Sequence, residues 1–231
     1  MVFAIIVAAG NGIRMENKLR KQYLTINGRP ILSHTLSAFD TCQPVDKIYL
    51  VIPREDFGFC EQNIVGPMRL KKELALVVGG AERQDSVYNG LLAIDAEINS
   101  TVVIHDGVRP FIRPELIEQC IRGVEESGAC ILGVPILETV KNIDSDGYID
   151  KTIARENLWH AQTPQAFHYG LIRQAHEMAR RESFGGTDDA VLVERLGTRV
   201  KMIDGSVLNV KITTREDLAL ARALFRADMS S

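Results

Sequence analysis

The chain has 231 residues, 45% of them hydrophobic and 25% charged, enough for one α/β domain with a substantial core. Lys and Arg total 27 against 30 Asp and Glu, a formal charge of −3. That balance argues against a nucleic-acid-binding protein, which needs a broad basic surface, but leaves room for a small anionic ligand held by a few local cations. The apolar run Val2–Ala9 is too short to span a membrane and lacks the basic leader of a signal peptide. Cys42, Cys60, Cys120 and Cys130 show no metal-ligand spacing and read as free thiols in a reducing compartment. The expectation is a cytoplasmic protein that binds neither membrane nor nucleic acid.

In chain order, short β-branched apolar runs fall at Val2–Ala8, Lys47–Ile52, Leu74–Val78, Thr101–His105 and Ala129–Val134. Runs that stay apolar on successive residues read as strands covered on both faces. Helical stripes lie between them. One is Val87, Leu91 and Ile94 after Arg83; another is Leu116, Ile117, Cys120, Ile121 and Val124, started by Pro114 and closed by Gly128. The alternation predicts a Rossmann-like, mostly parallel sheet flanked by helices. Near residue 136 the pattern breaks. Glu138–Ile143 and Tyr148–Ile153 flank Asp144-Ser-Asp-Gly147, so residues 137–154 read as a projecting β-hairpin arm within a single domain spanning 1–231. Helices over Tyr169–Arg181 and Thr187–Leu196 and strands at Val200–Ile203 and Val207–Ile212 follow. A last helix opens on Thr213-x-x-Glu216, a capping-box pattern. Trp159 suits stacking on a ligand, though a single aromatic more often belongs to the core.

The first candidate for chemistry is Ala8-Ala-Gly-Asn-Gly-Ile-Arg14-Met, directly after the first strand. Its glycines let backbone N–H groups approach an anion, although Met15 stands at the third glycine position of a dinucleotide fingerprint. Arg14, Lys18, Arg20 and Lys21 follow within one loop, a set suited to a polyphosphate. Gly79-Gly80 leads into a helix at Arg83–Ser86, offering amides and a hydroxyl to a polar ligand, or merely a cap at Ser86. Asp106 follows a strand, where open α/β sheets place ligands. It suits either orienting an acceptor's hydroxyls or assisting a Mg²⁺ ion, and the residues leave the choice and the metal ligands open. Arg109, before Pro110, is placed to reach a phosphate. Lys211, between apolar neighbours, must be exposed at a sheet edge or held by an anion.

Ala8-Ala-Gly-x-Gly-x-Arg14-Met, Lys21-Gln-Tyr, Gly79-Gly-x-Glu-Arg83-x-Asp-Ser86-Val, His105-Asp-x-x-Arg109-Pro, Leu158-Trp-His-Ala-Gln-Thr163-Pro-Gln and Asn209-Val-Lys211-Ile-Thr occur in this order. The set, spanning residues 8 to 213, resembles the 2-C-methyl-D-erythritol 4-phosphate cytidylyltransferase family of the non-mevalonate isoprenoid route. The resemblance implies CTP and a polyol phosphate as substrates, Mg²⁺ as cofactor, and a homodimer formed through the β-arm. It implies nucleotide binding by Ala8, Ala9, Gly10, Asn11, Gly12, Gly80, Ala81, Arg83 and Ser86. The acceptor would be met by Asp106, Arg109, Thr139 and Thr163, with Arg14, Lys21, Arg155 and Lys211 as the catalytic cations. Three positions depart from the family's frequent residues: Arg20 for proline, expected to loosen the loop, Gly107 for alanine, and Glu138 for aspartate. Ribitol-5-phosphate cytidylyltransferases carry much the same motifs. Ala9-Gly10 and Leu158-Trp-His-Ala favour methylerythritol phosphate over ribitol phosphate. A nucleotide-dependent oxidoreductase fits the cationic loop poorly, and a non-catalytic nucleotide sensor has no need of Arg155 and Lys211.

Overall fold

A computed structural model of the chain describes residues 1–10 and 19–228. The elements are β1 (Val2–Val7), β2 (Thr25–Ile26), β3 (Arg29–Pro30), α1 (Ile31–Thr41) and β4 (Lys47–Ile52), then two short helical turns, α2 (Phe57–Cys60) and α3 (Gly66–Met68). They continue as β5 (Glu73–Val78), α4 (Arg83–Ala93), β6 (Thr101–Asp106), α5 (Pro114–Ser127), β7 (Ala129–Pro135), β8 (Val140–Ile143) and β9 (Ile149–Ile153). The chain then runs through β10 (Trp159–His168), α6 (Tyr169–Arg181), α7 (Ala190–Arg195), β11 (Lys201–Asp204) and α8 (Arg215–Asp228).

Seven strands make one sheet in the order β11-β7-β10-β6-β1-β4-β5. All neighbouring strands are parallel except β10, which runs antiparallel to both β6 and β7. The mostly parallel α/β fold expected from the strand–helix alternation is therefore present. Its reason is visible in β1 and β6, whose residues alternate between two apolar layers. Ala4 and Ile6 pack with α1 and α5, and Phe3, Ile5 and Val7 pack with α4 and α6. Pro114 opens α5, and Gly128, with φ +75°, closes it in the left-handed conformation that glycine adopts without penalty. Among the described residues no helix is long and apolar enough to cross a membrane.

Five local expectations change. Helix α4 is capped by a reciprocal box between Glu82 and Asp85, so Ser86 is not its cap. Helix α7 begins only at Ala190. The last helix is capped one residue later than expected: Thr214 N–H donates to Asp217 Oδ2 (2.9 Å) and Asp217 N–H to Thr214 Oγ1 (3.1 Å). Residues 207–212 form no strand. They cross the sheet end as a loop, pinned where Ile212 N–H donates to Val108 O (2.9 Å) and buried Asn209 Nδ2 donates to Thr163 O (2.8 Å). β8 and β9 pair only with each other, a two-stranded arm with exposed Leu137, Ile143, Tyr148 and Ile149. Trp159, at its base, is exposed and not core.

Candidate active site

Parallel β1, β6, β4 and β5 end on one edge of the sheet, the edge at which open α/β folds bind ligands. A cavity of about 750 Å³ lies there. Ala8, Ala9 and Gly10 line it from the end of β1, Gly80, Ala81, Arg83 and Ser86 from the entry to α4, and Asp106 from the end of β6. Lys21 lines it from the turn after the glycine loop, and Lys211 and Thr213 from the loop that crosses the sheet end. Asn11, Gly12, Arg14 and Lys18 lie outside the described residues.

The close approach of these strand ends depends on two glycines. A Cβ at Gly80 would stand 2.2 Å from Asp85 Cβ and 3.0 Å from its backbone carbon, so the turn into α4 admits no side chain. A Cβ at Gly107 would stand 2.9 Å from Ala8 Cβ. Glycine at 107 thus lets the turn after β6 lie against Ala8.

Asp106, 4% exposed, organises the charges. Its Oδ1 accepts Arg83 Nε at 3.0 Å, and its Oδ2 meets Lys211 Nζ at 2.9 Å and Arg109 Nε at 3.5 Å. Burial alone would raise its pKa, but the three cations outweigh burial and hold the carboxyl well below the usual carboxylate range. Arg83 also reaches buried Asp189 through Nη1 (2.8 Å). Three cations against two carboxylates leave one surplus positive charge beside the cavity. Arg83 thereby spends Nε and Nη1 on carboxylates and holds the site together, while its Nη2 has no partner among the described residues. Ser86 likewise works internally, accepting Gly80 N–H (3.0 Å) and donating to Glu82 O (3.1 Å).

The Asp106 turn has its own support. Asp106 N–H donates to Thr163 Oγ1 (3.2 Å), and the Thr163 hydroxyl donates to His105 Nδ1 (2.9 Å). His105 Nε2–H then donates to Arg109 O (3.4 Å). Thr163, expected to bind the acceptor phosphate, is 4% exposed with its hydroxyl committed to this chain of bonds. Burial pushes the His105 pKa down to about 3. The unfolded chain, with His near 6.5, binds more protons between these values, so stability rises with pH across that window. Unfolding free energy should fall on acidification from about pH 6.5 to 4, by up to about 1.4 kcal/mol per pH unit from this residue. His34, also lowered mainly by burial, adds in the same direction. Urea titrations across this range check the slope, which His105→Gln should visibly flatten.

Three expected site residues sit elsewhere. Arg109 turns from the cavity, donating through Nη1 to Asn209 O (2.7 Å), and lines a second depression with Leu137, Gln162 and Val210. Thr139 and Arg155 are exposed on the arm, Arg155 donating to Leu137 O at its base. Arg20 also departs from the phosphate-facing set: it pairs with Glu55 (2.6 Å) and Asp56 (2.8 Å), which tethers the segment that loss of proline was expected to loosen. Sequence reasoning assigned no role to Gln22, although it falls within Lys21-Gln-Tyr. Buried Gln22 donates through Nε2 to Ala8 O (2.6 Å) and Gly10 O (3.4 Å), fixing the carbonyls of the turn. His105, Asp189 and Thr213 were missed as well.

Comparison with known proteins bears on this geometry directly. The model of the IspD family, 2-C-methyl-D-erythritol 4-phosphate cytidylyltransferase, matches residues 2–227. The chain belongs to that family. The cytidylyltransferase of Syntrophotalea carbinolica is 50% identical over 222 residues, covering 96% of this chain and 95% of the relative. That of Syntrophus aciditrophicus is 47% identical over 227 residues, covering 98% and 97%. The crystal structure of 4-diphosphocytidyl-2C-methyl-D-erythritol synthase from Anaerococcus prevotii superposes with a TM-score of 0.87 at 35% identity, covering 97% of this chain and 96% of that one. Cytidylyltransferases are nucleotidyltransferases, and the cavity of this chain, with its glycine turn and surplus positive charge, is of the kind such an enzyme needs for two phosphate-bearing substrates.

Proposed function

We propose that this chain transfers the cytidylyl group of CTP to 2-C-methyl-D-erythritol 4-phosphate, giving the CDP-linked methylerythritol and pyrophosphate. The observation that carries the reading is one cavity between the Ala8–Gly10 turn and α4, lined by Lys21 and by Arg83 and Lys211, which both pair with Asp106. An oxygen of the acceptor phosphate forms a bond to the α-phosphorus while the bond to the β-phosphate oxygen breaks, and pyrophosphate leaves with that electron pair. The attacking phosphate is already an anion, so no side chain has to remove a proton. What the reaction needs is two polyanions held in line and the growing charge neutralised. Lys21 faces the leaving group from the glycine turn, and Lys211, steadied on Asp106, aims the acceptor.

Magnesium needs only one or two protein carboxylates, taking its remaining ligands from phosphates and water. Asp106 lines the cavity, and its cation neighbours keep it ionised. Both of its oxygens are taken by Arg83, Arg109 and Lys211, so Mg²⁺ would be held by the nucleotide's phosphates and water. Bound there, the ion supplies charge neutralisation at the α-phosphate and the departing pyrophosphate.

Arg155 and Thr139 reach an acceptor only if the arm crosses to another copy, so the working form is a homodimer in which each arm completes its partner's site. The exposed apolar side chains of the arm support this reading. Sedimentation should give a dimer, and mixing inactive Arg155→Ala with inactive Lys21→Ala should restore part of the activity by pairing one intact cavity with one intact arm. An active monomer counts against the arrangement. The reaction itself is tested by pyrophosphate release from CTP with each polyol phosphate in turn. Methylerythritol 4-phosphate should be preferred, and an equal or faster rate with ribitol 5-phosphate overturns the assignment.

A further inference from the structure

Asp189 stands immediately before α7, where an aspartate ordinarily caps the helix, yet its side chain makes no capping bond. Its carboxylate is buried and divided between two partners: Oδ2 accepts Arg83 Nη1 at 2.8 Å, and Oδ1 accepts His176 Nε2 at 3.2 Å. His176, on α6, is fully buried, and its Nδ1 has no partner among the described residues, so the bond to Asp189 is the ring's one polar contact there. The backbone N–H of Asp189 is fixed in turn by Gln165 Oε1 at 3.0 Å. A line of contacts therefore runs from His176 through Asp189 and Arg83 to Asp106 on the cavity wall. A buried ion pair is a poor stabiliser compared with apolar packing, so stability alone gives little reason for placing one here.

We propose that Asp189, oriented by His176, is a positioning residue for cytidylyl transfer. It anchors the far end of the Arg83 guanidinium, so that Arg83 offers Nε to one oxygen of Asp106 and leaves the other oxygen to Lys211 and, at longer range, Arg109. Without the anchor, the planar fork is free to turn and close on Asp106 with two nitrogens, displacing Lys211 from the acceptor. The inference rests on the nucleotidyl-transfer reading of the cavity.

Asp189→Asn keeps the shape and removes the charge. It should lower kcat by about 10²-fold, the scale of a 1 Å misplacement, with the KM for CTP within about threefold of the parent. His176→Leu should fall between the two, and His176→Gln, whose amide can still donate, should recover most of the loss. In substrate-free protein the Arg83 Nε–H resonance, sharp while the guanidinium is clamped, should broaden or move in Asp189→Asn. Wild-type turnover per folded molecule in Asp189→Asn, or His176→Gln no better than His176→Leu, overturns the proposal, and the histidine pair decides alone if Asp189→Asn does not fold. An unchanged Arg83 resonance also overturns it, and needs no substrate. Failure of the parent enzyme to release pyrophosphate instead removes the reading of the reaction.

Discussion

Lys21→Ala is expected to lower kcat by roughly 10²–10³ while leaving the fold intact. Lys21 opens a short turn whose next two residues, Gln22 and Tyr23, are buried. Gln22 is tied to the Ala8 and Gly10 carbonyls, and Tyr23 donates its hydroxyl to Asp56 at 2.9 Å. The backbone at Lys21 is therefore placed by its neighbours, and the residue lines the cavity. Truncation removes a cation from the point where charge grows in the transition state and takes nothing from the core. Steady-state rates and thermal melting check both halves. Turnover near that of the parent sinks the role of Lys21, and a large fall in Tm would mean the side chain is structural.

The second large effect is on stability. Asp106→Ala leaves Arg83, Arg109 and Lys211 facing one another with only Asp189 to compensate. Breaking a buried ion pair costs about 3–5 kcal/mol. Lys211 is 39% exposed and can turn to water, so the lower end, about 3 kcal/mol, is expected here. Urea denaturation measures this, and activity should be lost in the fraction that remains folded. Asp106 and Asp189 are both held below the usual carboxylate range, so their stabilising share is present at neutral pH and is lost only as pH falls below about 4. That places it under the His105 window, and Asp106→Ala should leave the slope above pH 4 nearly unchanged. A loss under 1 kcal/mol would show that the cations relax without their carboxylate.

Much of the fold was legible because its strands and helices announce themselves over short windows. The runs later found as β1, β4, β6 and β7 are β-branched, and α5 carries both a proline start and a glycine stop. What failed depended on partners far away in the chain. Val207–Ile212 has the composition of a strand, but Asn209 and Ile212 are drawn into long-range bonds with Thr163 and Val108, and tertiary pairing overrides local propensity. For the site, the residue types were readable and their partners were not. Nothing in the local pattern around Arg83 says that Asp189, more than a hundred positions later, takes its guanidinium, or that Arg20 turns to Glu55 and Asp56 and not to a phosphate. Thr163 looked like a ligand because it is a hydroxyl in a recognisable motif. Burial gave that hydroxyl to His105 and Asp106.

The cavity draws one wall from Ala8–Gly10 and another from Lys211–Thr213, and the second wall is secured by α8 behind it, through Ile212, Leu218 and Ala221 against Ile26, Ile31 and Val108. A chain emerging from the ribosome has six of the seven sheet strands once His168 is made, yet has no complete binding site until nearly the last helix is made. Nascent or prematurely terminated copies would thus lack the acceptor side of the cavity, and an acceptor phosphate added during refolding should stabilise only the final, fully docked species.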